Sequence, residues 1–232
     1  MQTYILNRDV KNNIQTVVNV DGQTIELYDY ILGERYYEEQ AGVTANEFIT
    51  ALNSMKGDIT VRINSRGGEV GNALAIYQRL REHAGEVHCV VDGYAYSCAA
   101  WVLLAGDKRT INTGGLVMVH NPMMFPEITK ESDFDDVKNQ WVAHRDAINN
   151  IITERTGLKS EVVKDMMDKT TFMTANQAIT NNFCTALQEG TKALSASVRN
   201  AMPKEVVNTL PEVLDCSDLH LRALQLRANA LR

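Results

Sequence analysis

Residues 58–68 read DITVRINSRGG, a β-branched run that ends at a double glycine. A short apolar run of this kind, bounded by glycine, predicts a buried strand. Residues 70–83 follow as a predicted helix, because apolar side chains recur there at helical spacing: Ala73, Leu74, Tyr77 and Leu80. A strand, a glycine turn and a helix together form the unit from which α/β folds are built.

The same unit is repeated directly downstream. An apolar strand is predicted over residues 87–91, a turn at Gly93, and a short, wholly apolar helix over residues 97–105. Two further strands are predicted over residues 110–112 and 116–120. Strands that alternate with helices over this length predict an α/β sheet with crossover connections.

The segment before this repeat is predicted to contain a hairpin and a helix. The runs at residues 16–20 and 25–28 are joined across Asp21-Gly22, a dipeptide typical of tight hairpins. A helix is predicted over residues 44–55, with Thr44 as its N-cap and Glu47 at the capping-box position.

Helical patterns dominate the second half of the chain. A long amphipathic helix is predicted over residues 132–156, ended by Gly157, and a shorter helix over residues 160–168. After Leu187 the composition becomes rich in Ala, Ser and Asn, without a clear strand. We therefore expect one domain over residues 1–187 and a C-terminal helical extension over residues 188–232.

Composition and charge limit the classes of partner. The chain has 232 residues, of which 44% are hydrophobic and 22% charged, enough for a full hydrophobic core. Its net charge of -6 and pI near 5.4 argue against nucleic acid or an anionic membrane as the main partner. No apolar stretch approaches the length needed to cross a bilayer.

Cysteine usage and the N-terminal residues indicate a compartment. The cysteines are scattered, with no close pair suited to zinc: Cys89, Cys98, Cys184 and Cys216. The first residues lack the basic start and apolar core of a secretory signal. We expect a cytoplasmic protein with free thiols and without a metal or other cofactor.

Three elements of the sequence could together perform acyl transfer. Ser97 supplies a hydroxyl, which becomes a nucleophile when a base such as His120 removes its proton. Gly67 and Gly68 allow the backbone to approach a ligand closely, and amides near a helix start are free to bind an oxyanion. The alternative for each element is structural: a helix cap, a semi-buried histidine and a turn.

The order and spacing of three blocks resemble the Clp protease proteolytic subunit family. The blocks are INSRGG at 63–68, GYAYSCA at 93–99 and MVHNP at 118–122, and the resemblance extends from about residue 25 to residue 187. It implies a spiral of β-β-α units, a scaffold shared with the crotonase superfamily, from which the helix over residues 132–156 protrudes as a handle. Further similarity to the phage and prophage head maturation branch rests on four segments: residues 43–48, 120–122, 153–157 and 167–175.

Carried onto this sequence, the resemblance implies a role for each of several residues. Ser97 would be the nucleophile, His120 the general base, and the N–H groups of Gly68 and Cys98 the oxyanion hole. The segments that would pair with an extended substrate include Gly67, Glu69, Val70 and Phe125.

The chain departs from the family pattern at two positions. Thr170 stands where the housekeeping enzymes have the third, acidic member of the triad, and Asp168 is our candidate replacement. The alternative for Asp168 is an ordinary solvated carboxylate. Arg66 replaces the usual proline before the double glycine, and Cys98 is a rival nucleophile at a helix N-terminus, although a packed thiol is the simpler interpretation.

The resemblance implies a self-compartmentalising serine endopeptidase, assembled as a homo-oligomeric ring or as stacked rings. The substrates expected of the phage branch are proteins, namely scaffold or capsid precursors, cut in the host cytoplasm or in the immature capsid. Three alternatives remain open: a housekeeping-type subunit that works with an ATPase, a catalytically impaired assembly subunit, and a crotonase-like enzyme that binds acyl-CoA.

Overall fold

The computed structural model describes residues 23–37, 40–124, 126 and 128–188. The strands within these ranges are β1 (Thr24–Leu32), β2 (Val43–Thr44), β3 (Ile59–Gly68), β4 (Val87–Tyr96), β5 (Lys108–Ile111), β6 (Leu116–Val119), β7 (Thr171–Thr174) and β8 (Ala186–Leu187). The helices are α1 (Ala45–Asn53), α2 (Val70–Arg81), α3 (Cys98–Leu104), α4 (Ser132–Thr156), α5 (Ser160–Asp168) and α6 (Ala175–Thr180).

The strands form one mixed sheet in the order β2-β1-β3-β4-β5-β8, and each neighbouring pair in this order is parallel. β6 pairs in parallel with the end of β4, and β7 pairs antiparallel with β6. The helices α1, α2 and α3 connect successive strands. The predicted α/β sheet with crossover connections is therefore confirmed.

The core lies on one face of the sheet. Alternate residues of the central strands are fully buried, whereas the residues between them are mostly only partly covered. The fully buried residues on the three central strands include Ile25, Leu27, Val61, Ile63, Cys89 and Val91. Phe48 of α1, Ile76 of α2 and Trp101 of α3 belong to the same hydrophobic cluster, so the helices cover this face.

The glycines of both predicted turns are instead part of strands. Gly67 and Gly68 are the last two residues of β3, opposite Tyr30 and Ile31, and Gly93 lies inside β4. The φ angles of Gly67 (85°) and Gly68 (152°) bend the end of β3, where pairing with β1 continues after a register shift. A Cβ at Gly68 would lie 2.0 Å from the carbonyl oxygen of Ile31, so a side chain has no room there.

The helix predictions in this region are confirmed. In α1, Thr44 and Glu47 form the expected capping box. α4 has the predicted bounds and ends at Gly157, whose φ is 75°. The predicted strand over residues 16–20 lies outside the described residues, as does the extension after Gln188.

The handle helix α4 is covered only near its C-terminal end. Ile148 and Ile152 are fully buried, whereas Phe134 is 62% exposed. Trp141 is partly buried, and its indole N–H donates to the carbonyl of Pro122 at 2.8 Å. Among the described helices, none is long and apolar enough to cross a membrane.

Candidate active site

Ser97 lies at the junction between β4 and α3 in a conformation rare for a residue with a side chain. Its φ is 55° and its ψ is -127°. The turn is held on two sides: the Ser97 N–H donates to the Met118 carbonyl at 2.8 Å, and a Cβ added at Gly67 would lie 2.9 Å from the Ser97 Cβ. The Ser97 side chain makes no helix-capping hydrogen bond, so the structure does not use it as a cap.

His120 is brought to Ser97 by strand pairing. Tyr96 and Met118 are partners in the β4–β6 ladder, so the residues that follow them emerge at the same end of the sheet. His120 Nε2 lies 2.7 Å from Ser97 Oγ, which is hydrogen-bonding distance. The two side chains that the sequence singled out are therefore in direct contact.

The environment of His120 favours the neutral imidazole. Burial lowers the pKa of His120 below its ordinary value of 6.5. Desolvation disfavours the charged form, so the ring is neutral near pH 7 and its Nε2 can accept the hydroxyl proton. Burial is the only cause of this shift, without a contribution from a described carboxylate.

The structure does not bring Asp168 into contact with the imidazole. Asp168 is the last residue of α5, and its Oδ1 accepts a hydrogen bond of 2.7 Å from Asn121 Nδ2. Asn121 follows His120 directly, and its own Oδ1 is buried without a hydrogen-bond partner among the described residues. Asp168 therefore reaches the site through Asn121, a residue that the sequence reasoning did not single out.

Thr170 occupies a strained position between α5 and β7. Its φ is 53°, in the left-handed region that β-branched residues rarely adopt. The neighbouring carboxylate Asp165 forms an ion pair of 2.7 Å with Lys169. Thr170 itself supplies no carboxylate, so the sequence departure at this position leaves the imidazole without a directly bonded acid in the described residues.

The amides predicted to form an oxyanion hole both influence the Cys98 thiol. Burial raises the pKa of Cys98 to about 12, and the backbone N–H groups of Gly68 and Cys98 lower it by less. The thiol is therefore protonated near pH 7, which disfavours Cys98 as a rival nucleophile.

The predicted substrate-pairing segment follows β3 directly. Glu69 is the N-cap of α2, and its carboxylate accepts hydrogen bonds from the N–H groups of Gly71 (2.9 Å) and Asn72 (2.5 Å). Burial raises the pKa of Glu69, but these N–H groups outweigh it and hold the pKa below the usual range. Val70 begins α2 and packs partly against the core. Phe125 lies outside the described residues.

A cluster of aromatic side chains lies next to Ser97. Tyr96, which precedes Ser97, is T-shaped against Phe172 of β7, with ring centroids 5.5 Å apart. Tyr94 stacks on Tyr96 at 4.8 Å. Interactions with the hydroxyls of Tyr94 and Tyr30 raise the pKa of the exposed Arg66, the residue at the usual proline position.

The C-terminal end of α3 is held by three arginines that sequence reasoning missed. Arg155 donates to the carbonyls of Leu104 and Gly106, both at 2.8 Å. Arg109 also donates to the Gly106 carbonyl at 3.0 Å, and Arg81 donates to the Ala105 carbonyl at 3.2 Å. Positive charge at a helix C-terminus is stabilising. Isolated arginines at these positions carry no sequence signal, because the contacts form only in three dimensions.

Comparison with known proteins agrees with this geometry. The family model described as Clp protease matches residues 13–187. The chain is 27% identical over 167 residues to the ATP-dependent Clp protease proteolytic subunit 1 of Prochlorococcus marinus (strain MIT 9312). This alignment covers 68% of the chain and 85% of the Prochlorococcus protein.

A solved structure shows the same fold. A ClpP1 mutant from Listeria monocytogenes superposes with a TM-score of 0.62 at 22% identity, covering 73% of this chain and 92% of that one. The match to the family model extends over most of the chain and includes all three of the motif blocks around Gly68, Ser97 and His120. This chain belongs to the Clp protease family.

Proposed function

We propose that this chain is a serine endopeptidase in which Ser97 is the nucleophile and His120 the general base. The observation that carries the proposal is the 2.7 Å contact between Ser97 Oγ and His120 Nε2, with a pKa of His120 that favours the neutral ring. Membership of the Clp protease family implies peptidase activity.

The proposed reaction follows from this pair. His120 takes the proton from Ser97 Oγ as the oxygen attacks the scissile carbonyl, and the N–H groups of Gly68 and Cys98 bind the resulting oxyanion. The imidazolium then gives its proton to the leaving amine, and the acyl-enzyme forms. Water, activated by the same imidazole, releases the second product and restores Ser97.

We assign Asp168 a supporting role through Asn121. The 2.7 Å hydrogen bond between them fixes the residue that follows the base. An orienting group of this kind raises the rate without being essential for chemistry.

The finer role that we propose is phage-type head maturation: cleavage of scaffold or capsid precursor proteins by a homo-oligomeric ring or stacked rings. The proposal rests on the sequence segments at residues 43–48, 120–122, 153–157 and 167–175. Assembly is supported by membership of the Clp protease family, whose proteolytic subunits form oligomeric rings. Native mass spectrometry tests the assembly, and a monomer at micromolar concentration would contradict it.

A housekeeping-type subunit is the second candidate, favoured by the 27% identity to a proteolytic subunit of an ATP-dependent protease. The two roles are separated by adding a host Clp ATPase with ATP. Stable binding with stimulated protein digestion supports the housekeeping role, whereas digestion of capsid precursors without the ATPase supports maturation.

Labelling with a fluorophosphonate probe tests the catalytic proposal itself. We expect a stoichiometric adduct on Ser97 by mass spectrometry, lost in Ser97→Ala and His120→Ala. An assembled oligomer that remains unlabelled would show that the subunit is catalytically impaired. The labelling experiment tests this alternative directly, because no described carboxylate contacts His120. Binding of an acyl-CoA without labelling would instead indicate crotonase-like chemistry.

A further inference from the structure

An open cavity of about 500 Å³ lies beside the proposed oxyanion loop. It is lined by the end of β1, by the loop that follows β1, and by Glu69. The Glu69 N–H donates to the Ile31 carbonyl at 2.8 Å, so the cavity borders the backbone that follows Gly68. The size is in the range of side-chain and small-ligand sites.

The cavity is surrounded by tyrosines that are unusually exposed. Tyr30 is 48% exposed, Tyr37 61% and Tyr36 80%. Aromatic side chains contribute most to stability when buried, so several exposed together beside a catalytic site indicate a binding surface.

Tyr30 lies near the end of β1, and Arg35 contacts the described residues of the loop that carries Tyr36 and Tyr37. The Arg35 guanidinium forms two hydrogen bonds with Glu47, of 3.1 and 2.9 Å. It also donates to the carbonyls of Gly42 (2.9 Å) and Gln40. Bidentate arginine pairs are among the more rigid side-chain contacts, so Tyr36 and Tyr37 are presented by a fixed frame.

The carboxylates that line the cavity favour a positively charged ligand. Glu34 and Glu69 are in the lining, and none of the described lining residues is basic. The nearby Arg66 guanidinium interacts with Tyr30 at one edge of the lining. Glu69 remains ionised near pH 7 because the N–H groups of α2 hold its pKa low. Aromatic faces and carboxylates together are the chemistry that binds a cation.

We propose that this cavity is a subsite for a lysine or arginine side chain of the substrate, which makes the enzyme selective for basic residues close to the cleaved bond. The inference rests on the proposed peptidase function. Gly67 contacts Ser97 and Glu69 lies two residues further, a span of about 7 Å. A substrate strand paired with this segment therefore places a side chain one or two residues from the scissile bond at the cavity.

The test is a set of fluorogenic peptides that carry lysine, arginine, norleucine or glutamate at each of the three positions on either side of the cleaved bond. We expect kcat/KM at one position to be about tenfold higher for lysine than for its uncharged analogue norleucine. Glu34→Gln and Tyr36→Ala should each reduce this ratio severalfold, and Tyr36→Phe should retain most of it because the ring remains.

Glu86→Gln is the matched control, since it removes one exposed carboxylate at the opposite end of the sheet and should leave the ratio unchanged. Equal rates for lysine and norleucine at every position would overturn the subsite, and so would variants that slow all peptides equally. Failure of the peptidase proposal is distinguishable, because the wild-type protein would then show no adduct on Ser97.

Discussion

The amide of Asn121 and the carboxylate of Asp168 form a hydrogen bond of 2.7 Å that connects the end of α5 to the residue after the proposed base. In a serine triad the acid contacts the imidazole directly. Here the carboxylate contacts the next residue along the chain. The consequences for rate and pH dependence differ from those of a direct triad.

Removal of the Asp168 charge should have a moderate effect. We expect Asp168→Asn and Asn121→Ala each to lower kcat/KM about tenfold, because one charge-assisted hydrogen bond is lost. Loss of a directly bonded acid costs about 10⁴-fold in a serine protease. Kinetics of peptide hydrolysis distinguish these magnitudes, and a 10⁴-fold loss in Asp168→Asn would show that the carboxylate acts on the ring itself.

Replacing Thr170 by a residue that tolerates its backbone conformation should stabilise the fold. Thr170→Asn is expected to stabilise the fold by about 1 kcal/mol, because asparagine adopts the left-handed region at lower cost than a β-branched residue. Thr113→Asn, at an exposed turn residue without a positive φ, is the control. Urea unfolding measures both, and equal effects in the two variants would contradict the assignment of strain.

A carboxylate at Thr170 should also change catalysis. Thr170→Asp differs from Thr170→Asn only in charge, so the pair isolates the electrostatic effect. We expect Thr170→Asp to be the faster enzyme and to have the higher pKa for His120, because a nearby negative charge favours imidazolium. Identical pH–rate profiles for the two variants would show that this position does not face the ring.

The activity should persist into mildly acidic solution. Burial lowers the pKa of His120, and the neutral ring is the active form, so the rate of fluorophosphonate labelling should reach half of its plateau below pH 6.5. The same pKa shift makes the stability of the folded protein depend on pH. An unfolded imidazole with a pKa of about 6.5 binds more protons than the native one, so the contribution of His120 is complete above that pH and is lost as the pH falls. A labelling midpoint above pH 6.5 would contradict the effect of burial.

Loss of Arg155 should lower both the stability of the fold and the reactivity of Ser97. Arg155→Met leaves the Leu104 carbonyl and one acceptor site of Gly106 without their donor, and we expect a loss of about 2 kcal/mol in the free energy of unfolding. The labelling rate at Ser97 should also fall, because α3 loses part of its C-terminal support. Arg145→Met is the control on the same helix, since Arg145 pairs with Asp146 and Trp141 near the surface.

Cys98 should be inert while the protein is folded. Its pKa of about 12 and its burial keep the thiol protonated, so iodoacetamide at pH 7.5 should modify it only after unfolding. Cys98→Ala should retain activity, because the proposed mechanism uses only the backbone N–H. Mass spectrometry of peptides from native and unfolded protein measures the modification. Rapid alkylation of the native protein with loss of activity would indicate that Cys98 is the nucleophile.

The sequence by itself determined the alternation of strands and helices, the caps of α1 and α4, and the pairing of Ser97 with His120. These features depend on local periodicity and on motif order, which are written along the chain. It also singled out Gly67 and Gly68, but as a turn. Whether a glycine ends a strand or bends it depends on the neighbouring strand, here the carbonyl of Ile31.

Only the tertiary structure decided how Asp168 reaches the site, what holds the far end of α3, and where the tyrosines around the cavity lie. Each depends on side chains far apart in sequence, such as Asn121 with Asp168 and Arg155 with Leu104. Single polar residues of this kind have no periodic pattern, and their partners are set by the packing of one element on another. The sequence thus identifies Ser97 and His120, and the fold determines how both are supported.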